Sequence, residues 1–418
     1  MSSRNLSPRA YAHTFDERIA VVLPHAARTS PAFGRRLAAA GVAPDELTDV
    51  QSLDRIPVLG KDHLLDEQQA QPPLGGLLAP GAALRRIFQS PGPLYEPELA
   101  RPDPWRWASG LRAAGFTSAD VVINCFSYHL SPAGAMFEEA CRAIGAAVLP
   151  AGVGNLDLQA QACDDLQVTA YIGLPSYLKS LLDKADELGL DLCLQRAFVT
   201  AEPFPPSLRA QLQDKVASVR EGFGTAETGN LGYESDALDG FHVPDDALVQ
   251  ICDLTTGEAL YDTREGQVVV TLFDRDYPLV RFGTGDLSSW AEPTDAEGLL
   301  VSAEPHDAAD HVTPRIRGWL GRVGEAVKVR GLFLHPRQVR RALEDAEGVV
   351  AFRMVVDRSN DRDKLRCEVV PGDGAESGRL EEDVAARIRS ALRFRVDVEL
   401  VDSLSEGTEV IDDRRRWD

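Results

Sequence analysis

From about residue 120 the chain alternates short apolar runs with segments whose apolar residues recur every three or four positions. The runs at 120–126, 146–150, 169–173 and 197–201 are near-continuously apolar and too short for helices, as expected of strands buried on both faces. Between them, 133–144, 156–166 and 175–188 carry helical spacing, and a further helix begins at Pro205 and Pro206. Alternation of this kind predicts parallel strands with crossover helices, with ligands at the carboxyl ends of the strands. Ahead of it, residues from about 15 to 65 read as helices broken by prolines, and 71–81 as a Pro/Gly/Leu-rich loop. Over 241–290 the pattern shifts to strands and turns, most clearly at 266–272. The last stretch predicts strand 327–330, helix 337–345, strands 349–356 and 364–370, helix 380–392 and strand 396–400. The fold class is therefore α/β. A large N-terminal domain over 1–321 has doubly wound, mostly parallel sheets and a β subdomain around 240–290, and a small α+β domain (βαββαβ) covers 322–418.

Composition narrows the partners. A chain of 418 residues with 44% hydrophobic content exceeds one ordinary domain and supports a sizeable core. Its formal charge of −21 argues against nucleic acid and anionic membrane, since both need a basic face. No apolar run approaches a membrane span, and the N-terminus lacks a basic-then-apolar signal pattern, so a cytoplasmic location is expected. Six cysteines are scattered without a Cys-x-x-Cys pair, which fits buried thiols in a reducing compartment; no zinc is expected.

Three runs carry candidate chemistry. Glu221-Gly222-Phe223-Gly224-Thr225-Ala226-Glu227-Thr228 reads as a Gly-X-Gly turn closing a β segment. Its glycines allow close backbone approach, Phe223 offers a flat ring, and Glu227 is an acid able to hold Mg²⁺ beside phosphates. The same run also reads as an ordinary glycine turn, with Phe223 in the core. Arg281-Phe282-Gly283-Thr284-Gly285-Asp286-Leu287 places an acid suited to two ribose hydroxyls, and Asp286 could equally cap a turn. The third run, from Gly321-Arg322 through Gly324 and Lys328 to Gly331, turns into a short strand.

In that order and spacing, the runs resemble the AMP-forming adenylating enzymes, most closely the phenylacetate–CoA ligase family. Gly154-Asn155 with Gln159, Leu174-Pro175-Ser176-Tyr177, Asp239-Gly240-Phe241-His242 and Thr256-Gly257-Glu258 extend the resemblance over nearly the whole chain. So does a helical lead-in from Ala39-Ala40-Gly41-Val42 through Ile56-Pro57-Val58 to Lys61-Asp62. The resemblance implies ATP or AMP, Mg²⁺ and CoA as cofactors, and a small-molecule carboxylic acid or acyl thioester as partner, with a homodimer as a candidate assembly. It places Thr200, Ala201, Glu202, Pro203, Phe223, Gly224, Thr225 and Asp286 around the nucleotide, and Glu227 on the metal. The catalytic set would be Glu227, Arg322 and Lys328. Phe126, Tyr128 and His129 would line the acid pocket, and the small domain would rotate about Gly324, where glycine suits a hinge.

The phosphate side departs from that pattern. The matching loop is Gln89-Ser90-Pro91-Gly92-Pro93-Leu94-Tyr95-Glu96-Pro97, where two prolines remove N–H donors and Glu96 stands in place of a lysine. Ala226 replaces a hydroxyl residue, Gly283 an arginine, and the C-terminal Glu406-Gly407-Thr408 segment has no lysine. Arg414-Arg415-Arg416 reads as a solvated tail. Two readings remain open. One is a ligase that activates an aryl or hydrophobic acid as an acyl-adenylate and transfers it to CoA or another acceptor. The other is a non-adenylating pseudo-ligase or altered-chemistry relative that binds AMP, acyl-adenylate or acyl-CoA.

Overall fold

The computed structural model describes residues 4–90, 94–291, 311–323, 327–330, 332–334, 336–359, 362–372, 374, 376–392, 394–404 and 410–415. The chain divides into two units: Met1–Thr200 with Arg209–Val323, and Gly324–Asp418 with the short segment Ala201–Leu208.

In the first unit the lead-in helices begin where serine and proline place them. Ser7 Oγ accepts the Ala10 N–H at 3.1 Å ahead of helix Pro8–His13, and Ser30 Oγ accepts that of Phe33 at 3.4 Å ahead of helix Pro31–Ala39. Pro24 does not break the chain as expected; it lies inside helix Asp16–Thr29, its ring buried on the core-facing side. Ile19, Leu23, Phe33 and Leu37 from these helices share one core with Val249, Val268, Val270, Phe282 and Trp290. The segment before helix Lys61–Ala70 is tied to strand Phe282–Ser288. Leu59 N–H donates to Arg281 O at 2.8 Å and Gly283 N–H to Leu59 O at 2.9 Å.

The predicted alternation forms one eight-stranded sheet. Ala147–Pro150, Val121–Asn124, Ala170–Gly173, Arg196–Val199 and Ser218–Thr225 lie side by side and parallel. Gly229–Glu234, Phe241–His242 and Arg315–Ile316 continue it antiparallel. A five-stranded antiparallel sheet runs in the order Ala259–Leu260, Ala247–Cys252, Gly266–Leu272, Phe282–Ser288 and Gly321–Arg322. It corresponds to the β subdomain, with two differences. Phe241–His242 joins the large sheet, and Gly321–Arg322 arrives from beyond residue 290, because each edge takes whichever chain segment completes its ladder.

The second unit has a four-stranded sheet in the order Asp397–Leu400, Arg362–Pro371, Val349–Ser359 and Ile411–Asp413. Helix Ser377–Leu392 presents Leu380, Val384 and Ile388, spaced one turn apart, to Met354, Val356, Leu365 and Val369. The first predicted strand, Val327–Val329, is one arm of a hairpin with Leu332–Leu334. Of the expected solvated tail, Arg415 departs from that reading. The Arg415 side chain is buried, 3.0 Å from Asp363 and 2.6 Å from Asp413, and it ties the last strand to the sheet. All six cysteines are free. No helix among the described residues is long and apolar enough to cross a membrane.

Candidate active site

Three of the five parallel strands run out at their carboxyl ends into residues singled out from the sequence: Val121–Asn124 leads to Phe126 and Tyr128, Arg196–Val199 to Thr200, and Ser218–Thr225 to Glu227. Open α/β sheets bind ligands at such ends. Gly222-Phe223-Gly224 is not a turn. It lies within strand Ser218–Thr225, and the turn follows at 226–228. The glycines are needed because rings pack on them. A Cβ at Gly222 would lie 2.5 Å from Phe198 and 2.8 Å from Trp107, and one at Gly224 would lie 2.6 Å from Trp107. Phe223 itself is 7% exposed and belongs to the main core, so its burial matches the core reading of this ring. Thr225 closes the turn, its Oγ1 2.8 Å from Thr228 Oγ1 and accepting the Thr228 N–H at 3.2 Å.

Glu227, on that turn, is buried, and its Oε1 lies 2.5 Å from Lys61 Nζ. Lys61 opens helix Lys61–Ala70, which the Leu59–Phe282 bridge holds against the β subdomain. Glu96 sits on strand Tyr95–Leu99, opposite Phe88 in a hairpin. It too is buried. Burial and then the Glu227 charge push the Glu96 carboxyl up to about 8, against the opposing pull of Ser90 and Lys61. Burial also works to raise Glu227, but the Lys61 charge and hydrogen bond outweigh it and hold Glu227 below the usual carboxylate range. Two carboxyls thus face one ammonium, and near neutral pH the odd one keeps its proton. Glu96, which stands in place of a lysine, is therefore held neutral near pH 7 by its burial and the Glu227 charge. The two acids line a cavity of ≈ 40 Å³ with Ala226, Arg106, Asp274 and Tyr277. That is room for water, and far below the roughly 300 Å³ at which ligand pockets begin.

A second charged pair lies nearby. Asp286 and Arg322 are opposite each other on neighbouring strands, with Nε 3.2 Å from Oδ1 and both side chains 3% exposed. Arg322 Nη1 also donates to Thr284 O at 2.8 Å. Gly285, at φ +78°, is required here, since a Cβ would lie 2.6 Å from Arg322 Nη1. Burial lowers the Arg322 pKa, opposed by Asp286 and Glu227, which places all three groups in one electrostatic neighbourhood. At Gly283 a Cβ would meet Gln267 at 2.5 Å and Val58 at 2.8 Å, so the docked lead-in occupies the space an arginine would need.

On the proposed acid wall, Asn124 organises the loop. Its Nδ2 donates to Tyr128 Oη at 2.9 Å and its Oδ1 accepts the Phe126 N–H at 3.1 Å. Burial, then the charge of Glu138, raises the Tyr128 hydroxyl pKa, opposed by Asn124. Phe126 is buried and stacks on Phe137 at 5.1 Å, whereas His129 is exposed. Thr200 Oγ1 donates to Gly222 O at 2.5 Å. Ala201, at φ +74°, Glu202 and Pro203 are half-buried and group with the second unit. Lys328 lies on strand Val327–Val329; its side chain, like Pro91, Pro93, the hinge candidate Gly324, Thr408 and Arg416, falls outside the described residues. Among the described residues no three His, Cys, Asp or Glu side chains gather as a metal site. With Lys61 on its carboxylate, Glu227 does not fit Mg²⁺ as arranged.

Sequence reasoning missed three of these groups. Lys61 was matched only as the end of the helical lead-in and given no role, Asn124 carried no motif, and Trp107 lay outside every matched run. No family model matches the chain. It is 26% identical to the phenylacetate–coenzyme A ligase of Aromatoleum evansii over 387 residues, 88% of this chain and 84% of the relative. It is 24% identical to that of Escherichia coli K12 over 409 residues, 92% and 89% of the two chains. Among solved structures, a 2-hydroxyisobutyryl-CoA ligase in complex with 2-HIB-AMP and CoA matches with a TM-score of 0.87 at 20% identity, covering 99% of this chain and 91% of that one. The amide bond synthetase McbA of Marinactinospora thermotolerans matches with a TM-score of 0.57 at 18% identity, over 77% and 66%. The chain is therefore a divergent relative of the phenylacetate–coenzyme A ligases, built on the fold of the adenylate-forming ligases.

Proposed function

We propose that the protein is an acid–thiol ligase acting on a small carboxylic acid, ATP and CoA. The acid's carboxylate attacks the α-phosphorus of ATP, forming a new P–O bond and expelling pyrophosphate. The CoA thiol then attacks the acyl carbonyl, forming the thioester and releasing AMP. The observation that carries this reading is similarity to four phenylacetate–coenzyme A ligases along most of the chain. It is supported by the two cations, Lys61 and Arg322, each paired with a buried acid, Glu227 and Asp286, where a phosphate could exchange partners with them. On this reading Lys328, in the second unit, would belong to the catalytic set, as the resemblance implies. Pyrophosphate release and thioester formation, followed over a panel of aryl and aliphatic acids, test the proposal; ATP turnover without any acyl-CoA product would count against it.

A second reading is favoured by one observation. Glu96, which the resemblance puts at the phosphate-loop position, is buried beside Glu227 and Lys61 and lines a cavity of only ≈ 40 Å³. On that reading the protein holds AMP, an acyl-adenylate or an acyl-CoA and does not turn over ATP. Calorimetry separates the two. Binding of AMP markedly tighter than ATP favours the second, and ATP at least as tight as AMP returns the first.

A further inference from the structure

On the ligase reading, the acyl group lies beside Phe126 and Tyr128, at the carboxyl ends of the parallel strands. Much of that region is taken up by the protein's own rings. Trp107 opens helix Trp107–Ala113 and is fixed by Asp103, whose Oδ1 accepts the Trp107 N–H at 3.1 Å and whose Oδ2 accepts that of Ala108 at 2.8 Å. Its indole lies on the glycine face of strand Ser218–Thr225, against Gly222 and Gly224. It is 4.8 Å from Phe137 between centroids, and Phe137 in turn stacks on Phe126. Trp107 therefore bridges the strand that leads to Glu227 and the wall at Phe126. An arene entering between them would have to displace it.

One feature separates Trp107 from an ordinary core ring. It is 3% exposed, yet its indole Nε1–H has no acceptor among the described residues. Buried tryptophans usually find one, and a buried donor left unpaired calls for an explanation. A ligand oxygen supplies it. We propose that Trp107 sets acyl specificity: its ring closes the site to aryl acids, and its indole N–H donates to an oxygen of a short aliphatic acid bearing a hydroxyl or oxo group. This deepens the ligase reading and depends on it.

The experiment is calorimetry on the full chain with AMP, then with phenylacetate and 2-hydroxyisobutyrate in the presence of AMP. The parent should bind 2-hydroxyisobutyrate at least about tenfold tighter than phenylacetate. Trp107→Phe keeps an aromatic, though smaller, ring and removes the donor, so it should weaken 2-hydroxyisobutyrate by about tenfold and leave AMP unchanged. Trp107→Ala should reverse the preference by admitting the aryl acid. If Trp107→Ala does not fold, as judged by its thermal melt, the Trp107→Phe arm decides. A parent that binds AMP but favours neither acid, or a Trp107→Phe variant that matches the parent on both, makes Trp107 a packing residue and overturns the inference. A parent that binds no AMP instead brings down the ligase reading beneath it.

Discussion

The Asp286–Arg322 pair and the Glu96–Glu227–Lys61 cluster are both buried in the first unit, yet they settle their charge differently. In the first, one carboxylate meets one guanidinium on adjacent strands, and the Thr284 carbonyl takes a further donor. In the second, two carboxyls share one ammonium, and the surplus carboxyl stays protonated well above its ordinary range. All the acids in the two places are buried, and only Lys61 keeps partial solvent access; the count of opposite charges decides which group ionises. A balanced pair holds no surplus proton, whereas an unbalanced one stores a response to pH and to any cation or anion that enters.

Breaking the balanced pair should have the largest effect. Arg322→Ala leaves Asp286 buried without its partner and should cost about 3–5 kcal/mol, read as a shifted urea midpoint for the first unit; a smaller shift than Lys61→Met would invert the comparison. Lys61→Met removes the ammonium from a cluster with partial solvent access, and a loss of about 2–3 kcal/mol is expected at pH 8. The loss should shrink at pH 5, where more of the two acids can be protonated. Equal losses at both pH values would mean that Lys61 does not balance the carboxyls.

Glu96→Gln tests the surplus proton. A carboxyl whose folded pKa is raised contributes stability that is fully present below its unfolded pKa near 4.5 and lost as pH rises through about 8. The variant should therefore match the parent near pH 5 and be more stable by on the order of 2 kcal/mol at pH 9. Thermal melts across that range measure it, and parallel curves for the two proteins would show that Glu96 does not titrate in the window. The smallest effect is expected at the turn. Thr225→Val deletes the hydroxyl paired with Thr228, for about 1 kcal/mol. Because Thr225 also helps hold Glu227 ionised, the variant's stability should fall off earlier than the parent's as the pH is lowered. A parent-like acid limb would detach Thr225 from the cluster.

Much of the candidate site was legible as residue types and little of it as pairings. Glu227 and Asp286 stood out because an acid beside glycines is unusual and suggestive, and Arg322 lay in a run already suspect. Nothing local tied Arg322 to Asp286, since their contact is a strand register formed by Gly321–Arg322 completing the edge of the β subdomain. Lys61 belonged to a helical lead-in, and its role depends on the Leu59–Phe282 bridge that swings the helix start over Glu227. The glycines at 222 and 224 were noticed for the right reason, close approach, but the approaching group is Trp107, outside every motif.

What the sequence by itself determined is the class of fold and the order of its elements. Period-2 and period-3.6 patterns act over a few residues, and strand–helix alternation leaves few ways to bury both faces of a sheet. Tertiary structure alone decided which acid is ionised, which cation serves it and which ring fills the space beside the glycines. Those outcomes depend on distances between residues far apart in the chain and on the water excluded around them, and a carboxyl's charge follows from that surrounding and not from its place in a motif.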